Sequence, residues 1–247
     1  MNKGEFPMEI VPLGESAIQI KLGKSIHPDI HRRVKMLLNH LEKHPFPGMI
    51  ECIPAFASVT VFYDPLKVRM FGTKHPELTG RSAYEIVSSM LKEMAVKMGQ
   101  SVDSEPRVVE IPVCYGGEFG PDLDDVAAYN QMKPEEVIAI HSGATYLVYM
   151  IGFAPGFPYL GEMPKEIATP RRPSPRPSIP QGSVGIAGMQ TGIYPISTPG
   201  GWQLIGRTPL QLFRPDANPP SLLQSGDFVK FRSISREEFE QYREESR

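Results

Sequence analysis

The segment 152–161, of sequence GFAPGFPYLG, combines aromatic, proline and glycine residues more densely than any other part of the chain. Its prolines restrict the backbone, and a glycine permits a conformation that other residues rarely adopt. A stiff loop of this kind suits a binding pocket or an interface, although it could also only close one end of the fold. The sequence predicts a pocket or partner interface formed by Phe153, Pro155, Gly156, Phe157, Pro158 and Tyr159, with Pro199, Gly200, Gly201 and Trp202. In the isolated chain, we expect its four aromatic side chains to form an exposed apolar patch.

Three arginines lie in the proline-rich run 168–180, of sequence ATPRRPSPRPSIP. Guanidinium groups on a restrained backbone suit the bidentate recognition of a carboxylate or a phosphate. The alternative is a solvated basic loop, which is the usual role of a run of charges. The pattern predicts that Arg171 and Arg172 bind an anion.

Arg207 is the third predicted anion-binding arginine. It follows Gly206, where a close turn could bring its guanidinium group to the same end of the fold as the arginine-rich run. Converging guanidinium groups repel one another unless an anion lies between them, so an anionic ligand is expected there. The alternative is that Arg207 only pairs with an acid such as Asp216 or Asp227.

The segment 181–209 alternates glycines with apolar residues and neutral hydrogen-bonding side chains. Among these side chains we expect Gln190, Thr191 and Tyr194 to contact the substrate or anion. The sequence contains no Walker A loop, no GxSxG motif and no HExxH motif. A nucleotide that bound here would therefore bind without a Walker A phosphate-binding loop.

His141 is the candidate catalytic residue. It lies at the end of a predicted short helix, where a protonated imidazole would also complement the helix C-terminus without any catalytic role. General acid–base chemistry is the alternative interpretation. Cys52 and Cys114 stand apart from one another and from histidines at ligand spacing, so we predict reduced thiols and no metal site.

The first hundred residues must form the elements of a separate domain. The β-favouring runs 8–13 and 17–22 predict a hairpin. Apolar residues at helical spacing predict one helix that begins at His27 and ends before Phe46, and a second over 82–98. Two further strands are predicted over 49–53 and 58–63, followed by one over 108–113. The order ββαββαβ predicts a small α+β domain with a mostly antiparallel sheet.

The rest of the chain predicts a β-barrel. Fourteen of the 26 prolines lie between Pro155 and Pro220, which excludes long helices there. Short strands are predicted over 146–151, 183–187, 202–206 and 227–234, and such strands joined by Gly/Pro turns are typical of a barrel. We expect domains at 1–105 and 106–247, joined between 103 and 122, with strand 107–113 belonging to either. A charged surface helix is predicted from Ser235.

The charge of the chain limits the classes of partner. Lys and Arg total 26 against 28 Asp and Glu, so no basic excess exists to bind nucleic acid. Two short helices predicted over 122–127 and 134–143 could resemble a helix-turn-helix, but they carry five acids and would repel phosphates. No signal peptide and no run of about 18 apolar residues is present, so we expect a cytoplasmic protein that makes no membrane contact.

Three long, irregular stretches carry a specific family resemblance: HSGATYLVYMIGFAPGFPYLGEMP, ATPRRPSPRPSIPQGSVGIAGMQTGIYPISTPGGWQLIGRTPLQLF and SLLQSGDFVKF. They resemble the allophanate hydrolase subunit 1 family, which includes the B subunit of bacterial 5-oxoprolinase and the kinase inhibitor KipI. The similarity covers about residues 6–234 and is strongest over 141–209. It implies an α+β fold, with a small N-terminal α+β sandwich domain followed by a C-terminal cyclophilin-like β-barrel domain.

The resemblance also implies partners and a reaction. Members pair with an allophanate hydrolase subunit 2 protein, which is the C subunit of 5-oxoprolinase, and work with the A subunit of the same enzyme. Together they open 5-oxoproline to glutamate at the expense of ATP, so the resemblance implies ATP with Mg²⁺ in the complex and a chain that is inactive alone. Two alternatives stay open. These are a KipI-type inhibitor of a sensor histidine kinase and a carboxyltransferase-like component of a biotin-dependent urea carboxylase.

Overall fold

The structure is a computed structural model that describes residues 8–97 and 107–245. The chain divides into two compact units, Met1–Glu105 and Pro106–Arg247. The polar stretch 101–107, predicted to help join the domains, lies outside the described residues except for its last position. The other predicted break, 116–122, lies within the second unit and connects a strand to a helix there.

The first unit is a four-stranded antiparallel sheet, in the order β1-β2-β4-β3, with three helices. Its elements are β1 (Glu9–Pro12), β2 (Ala17–Lys21), α1 (Pro28–Lys43), β3 (Met49–Pro54), β4 (Ser58–Tyr63), α2 (Pro65–Thr73) and α3 (Ala83–Lys97). The predicted hairpin, helices and strands of this region are confirmed. The predicted last strand of the ββαββαβ order belongs instead to the second unit.

Periodicity explains these elements. The α1 residues Val34, Leu37 and Leu41 recur at helical spacing, and all three are buried. Helix α2 was not predicted, because it is short and buries only Val68 and Gly72. Its sequence signal is the N-cap Asp64, whose carboxylate accepts hydrogen bonds from two amides of the first turn.

The second unit is a closed seven-stranded barrel, in the order β10-β7-β6-β13-β5-β12-β9, with β5 and β13 parallel and the other pairs antiparallel. A two-stranded sheet of β8 and β11 lies outside this ring. The strands are β5 (Val108–Tyr115), β6 (Thr145–Ile151), β7 (Pro158–Gly161), β8 (Arg176–Ile179), β9 (Ser183–Ala187), β10 (Gln190–Ile193), β11 (Thr198–Gly200), β12 (Gln203–Arg207) and β13 (Phe228–Ser233). The predicted fold class, an α+β unit followed by a β-barrel, is confirmed.

Three helices accompany the barrel: α4 (Leu123–Tyr129), α5 (Pro134–Gly143) and α6 (Arg236–Glu245). Helices α4 and α5 pack their apolar residues, such as Val126 and Val137, into the same core as the inward-facing strand residues. No helix in residues 8–97 or 107–245 has both the length and the apolar character that a membrane crossing requires.

Candidate functional site

Two glycines on adjacent strands form the floor of the candidate site. Gly185 of β9 pairs with Gly192 of β10, and their neighbour Ile186 points into the barrel core, so both glycines face outward. A Cβ atom on Gly192 would lie 3.0 Å from atoms of Phe157 and Trp202. The glycines therefore allow these two rings to lie directly against the strand backbone.

Four aromatic residues pack together on this floor. The ring of Phe157 lies edge-on to Tyr159, Tyr194 and Trp202, with centroid distances of 5.0, 5.3 and 5.5 Å. Phe157 and Trp202 are only 1% and 5% exposed, so the prediction of an exposed four-residue patch is wrong for them. The sheet of β8 and β11 explains the difference, because Ile179 of β8 belongs to the same buried cluster.

Phe153 is the exposed member of the aromatic segment, at 63% of its surface. Its φ of 68° lies in the left-handed region, which is unfavourable for a residue with a side chain. The loop is tightly closed, since the Gly152 amide donates to the Phe157 carbonyl and the Phe157 amide donates to the Ala154 carbonyl, both at 3.0 Å. Gly156 closes the turn, since a Cβ there would lie 2.9 Å from Phe213. The fold thus holds one aromatic ring in solvent at the cost of backbone strain.

Arg172 and Arg176 share one buried acid. The Asp122 carboxylate accepts hydrogen bonds of 2.7 to 2.8 Å from both guanidinium groups and one of 2.7 Å from the Leu204 amide. Arg172 was predicted to bind an anion, and its anion is this internal carboxylate. Asp122 was not predicted to join this site, because it lies 50 residues from Arg172 within a stretch interpreted as a short acidic helix.

Arg171 remains available to an external anion. It is exposed, and its guanidinium carbon lies 5.9 Å from the centroid of the Trp202 ring. In the described part of the chain no carboxylate pairs with it. Three arginines against one aspartate leave this cluster with a charge of +2, which favours an anionic ligand.

Two glutamines beside the aromatic cluster have unsatisfied buried atoms. Gln203 donates to the carbonyl of Pro170 at 3.0 Å, which holds the arginine-rich run against β12. Its Oε1 atom and the Nε2 atom of Gln190 have no hydrogen-bond partner, and neither does the Arg172 Nε. Buried polar atoms are normally paired, so these groups could accept and donate hydrogen bonds to a ligand.

Gln190 and Thr191 are not brought together as predicted. They are consecutive on β10 and therefore face opposite sides of the barrel wall. Gln190 lies on the outer face with Gly192, whereas Thr191 is fully buried.

Tyr194 and the segment 199–201 contact the aromatic cluster and the arginine-rich run. The hydroxyl of Tyr194 bonds to the backbone of Trp202, and burial raises the pKa of this hydroxyl to about 12. Gly200 makes room for it, because a Cβ there would lie 2.5 Å from the tyrosine oxygen. Gly201 accepts a 2.8 Å hydrogen bond from the Arg172 amide. These residues position the arginine-rich run.

His141 lies inside the barrel unit with both ring nitrogens occupied. The Thr191 hydroxyl donates its only hydrogen to the Gly185 carbonyl at 2.9 Å, so it must accept from His141 Nε2–H at 3.0 Å. Nδ1 is then unprotonated and accepts from the Tyr115 hydroxyl at 2.8 Å. Burial lowers the pKa of His141 to about 3, so the prediction of a protonated imidazole is wrong. Its catalytic role stays a prediction, and both ring nitrogens are hydrogen-bonded to protein groups.

The buried imidazole gives the protein an acid sensitivity. Unfolded His141 takes up a proton below pH 6.5, whereas folded His141 does so only near pH 3, so its contribution to stability is lost as the pH falls through this window. We expect wild type to lose about 2 kcal/mol more unfolding free energy than His141→Gln between pH 7 and pH 5. Urea titrations at both pH values measure this difference. Equal losses in the two proteins would contradict the buried neutral state.

Arg207 does not join the other arginines. It ends β12, five residues after Trp202, which places it about 16 Å away at ~3.3 Å per residue. Its Nε donates to the Gln181 carbonyl at 2.7 Å. Asp227, one alternative partner, instead pairs with Arg107. The predicted convergence of Arg207 with Arg171 and Arg172 is therefore wrong.

Comparison with known proteins places the chain in a family. The model of the carboxyltransferase domain, subdomain C and D, matches residues 8–223. The chain belongs to this carboxyltransferase-domain family. The resemblance inferred from the three sequence stretches is thereby confirmed.

Relatives in the family match along their full length or as part of a longer chain. The chain is 56% identical to the B subunit of 5-oxoprolinase from Bacillus subtilis (strain 168), over 96% of this chain and 98% of that protein. It is 43% identical to the B subunit of 5-oxoprolinase from Haemophilus influenzae, over 91% and 97%. The solved structure of TTHA0988 matches 89% of this chain at 33% identity with a TM-score of 0.74, but this match spans only 40% of that chain.

Proposed function

We propose that the chain is the B subunit of a multi-subunit, ATP-dependent 5-oxoprolinase that converts 5-oxo-L-proline to L-glutamate together with the A and C subunits. The observation that carries this proposal is the 56% identity to a protein of that name over nearly the whole of both chains. A non-autonomous subunit is expected to hold part of a site and to be inactive alone.

The arrangement around Arg171 is consistent with a partial site. Its exposed guanidinium group, the unpartnered amide of Gln190 and the ring of Phe153 all lie on one barrel unit. The arginine and the amide offer hydrogen bonds to an anion. In TTHA0988 the matched region is two fifths of a longer chain, which supports association with a further polypeptide.

In the proposed reaction, the positively charged cluster around Arg171 binds a negatively charged group. ATP transfers its γ-phosphoryl group to the lactam oxygen of 5-oxoproline and leaves as ADP. Water adds to the activated carbonyl carbon, the lactam C–N bond breaks to open the ring, and hydrolysis releases phosphate and leaves glutamate. Arg171 binds the negative charge of the substrate carboxylate or of the transferred phosphoryl group. ATP and Mg²⁺ bind in the assembled complex, with the partner subunits supplying the groups that hold them.

Reconstitution tests this function. The three purified subunits, mixed with 5-oxoproline, ATP and Mg²⁺, are expected to produce glutamate and ADP, and omission of this chain is expected to abolish the product. Chromatographic measurement of glutamate provides the readout. The proposal fails if glutamate forms equally without the chain, or if the chain only suppresses autophosphorylation of a sensor histidine kinase.

Phe153 is the expected contact with the C subunit. Phe153→Asp places a charge on an exposed position that the loop already holds in strain, so binding to the C subunit is expected to weaken at least tenfold, without loss of folding. Tyr129→Asp is the matched control, because Tyr129 is 60% exposed on the same unit. Copurification and titration calorimetry measure both variants. If the two variants bind the C subunit equally well, the 152–157 loop is not the interface.

A further inference from the structure

A cleft of about 240 Å³ lies beyond the end of β12, between the segment that follows this strand and helix α6. It is lined by Gln181, Arg207, Leu210, Gln211, Phe239 and Arg243, among other residues. Two of these side chains carry positive charge, two carry amides and two are apolar. The cleft is separate from the aromatic cluster, because Arg207 and Trp202 lie at opposite ends of β12.

A close backbone approach fixes the direction of Arg207. Gly182 has a φ of +84°, and a Cβ at this position would lie 2.3 Å from the carbonyl oxygen of Thr208. Only glycine fits here, and its fit brings the Gln181 carbonyl within 2.7 Å of the Arg207 Nε. The Nε atom is therefore anchored. Among the described residues, nothing bonds to the two terminal amino groups of Arg207, which are the atoms that bind oxyanions in a bidentate manner.

The surroundings of Arg207 compensate its charge only in part, because Glu118 and Glu240 favour the charged form while burial and Arg243 disfavour it. Partial burial lowers its pKa, and the nearby positive charge of Arg243 lowers it further. The nearby acids already have partners, since Glu240 pairs with Arg243 at 3.2 Å and Glu118 pairs with Arg236 at 2.8 Å. Two guanidinium groups and one carboxylate at the cleft leave a charge of +1.

We propose that this cleft binds a small molecule through an oxyanion group, a carboxylate or a phosphate. The oxyanion lies between the terminal amino groups of Arg207 and the guanidinium group of Arg243, and the amide of Gln181 or Gln211 completes its hydrogen bonds. The apolar part of the molecule rests on Leu210 and Phe239. This site does not depend on the proposed 5-oxoprolinase role, because none of its residues belongs to the cluster around Arg171.

Calorimetric titration of the purified chain at low salt tests the site with two probes, inorganic phosphate and butyrate. At least one probe is expected to bind, and Arg207→Gln is expected to weaken its binding at least tenfold, because a charge-assisted bidentate contact is lost. Tighter binding of phosphate would identify a phosphorylated ligand, and tighter binding of butyrate an organic acid. Added NaCl is expected to weaken either one.

Arg69→Gln is the control, because it removes the same charge from an exposed position on α2. Arg243→Gln serves as a second test, since Arg243 is exposed on α6 and its replacement leaves the anchor of Arg207 intact. The protein is used at a concentration of about 1 mM, and each probe is added to about a tenfold excess. The proposal is overturned if neither probe binds wild type under these conditions. It is equally overturned if Arg207→Gln and Arg243→Gln bind as tightly as Arg69→Gln.

Discussion

Asp122→Ala is expected to lower the free energy of unfolding by about 3 kcal/mol, at the lower end of the roughly 3–5 kcal/mol found when one partner of a buried ion pair is removed. The carboxylate is 2% exposed and serves two guanidinium groups and the Leu204 amide. Its loss leaves four N–H donors without an acceptor. We expect a loss of stability at the lower end of this range because Arg172 and Arg176 are 33% and 23% exposed, so water can replace part of the lost hydrogen bonding.

Asp124→Ala is the matched control for this change. Asp124 is exposed in the first turn of α4, so its replacement removes the same charge without breaking an internal pair. Urea denaturation of both variants gives the difference in unfolding free energy. Limited trypsin digestion gives a second readout, because release of the arginine-rich run is expected to accelerate cleavage after Arg171, which is not followed by proline. Equal stability of the two variants would show that Asp122 does not secure this run.

Strand alternation and helical spacing predicted much of the fold. Val59, Val61 and Tyr63 were expected on one face of β4, and all three are buried. The helix expected to begin at His27 and end before Phe46 is present as α1. These elements depend on neighbours within a few residues, so their signals are local in the sequence.

The parts of the site that were missed depend on contacts between distant segments. The partner of Arg172 is 50 residues away, and no local pattern links an acid that begins a helix to a proline-rich run. The burial of Phe157 likewise depends on the cluster formed with Ile179 and Trp202. Both features require knowledge of which segments pack together.

A signal for the placement of Thr191 was present in the sequence. Gln190 and Thr191 are adjacent, so assignment of a strand to this segment would have placed their side chains on opposite faces. No strand was predicted between 187 and 202. In the structure Gly192 serves the packing of Phe157 and Trp202 instead of a turn.

The three arginines predicted to bind an anion therefore have different roles in the structure. Arg172 forms an ion pair with Asp122, and Arg207 lines a separate cleft. Arg171 is exposed above Trp202 with no carboxylate partner among the described residues. If a negatively charged substrate group meets the aromatic cluster, Arg171 is the residue that contacts it.

Arg171→Ala is expected to lower kcat/KM of the proposed 5-oxoprolinase complex, once reconstituted, about 100-fold, the effect of removing one group that stabilises developing negative charge. The melting temperature is expected to stay within about a degree of wild type, since the side chain makes no ion pair and only an exposed contact with the Trp202 ring. Arg171→Lys is expected to recover only part of the activity, because an ammonium group cannot bind an oxyanion in a bidentate manner. Arg69→Ala controls for the loss of one charge. A fully active Arg171→Ala complex would exclude this residue from the site, whereas a lowered melting temperature with unchanged kcat/KM would assign it to packing against Trp202.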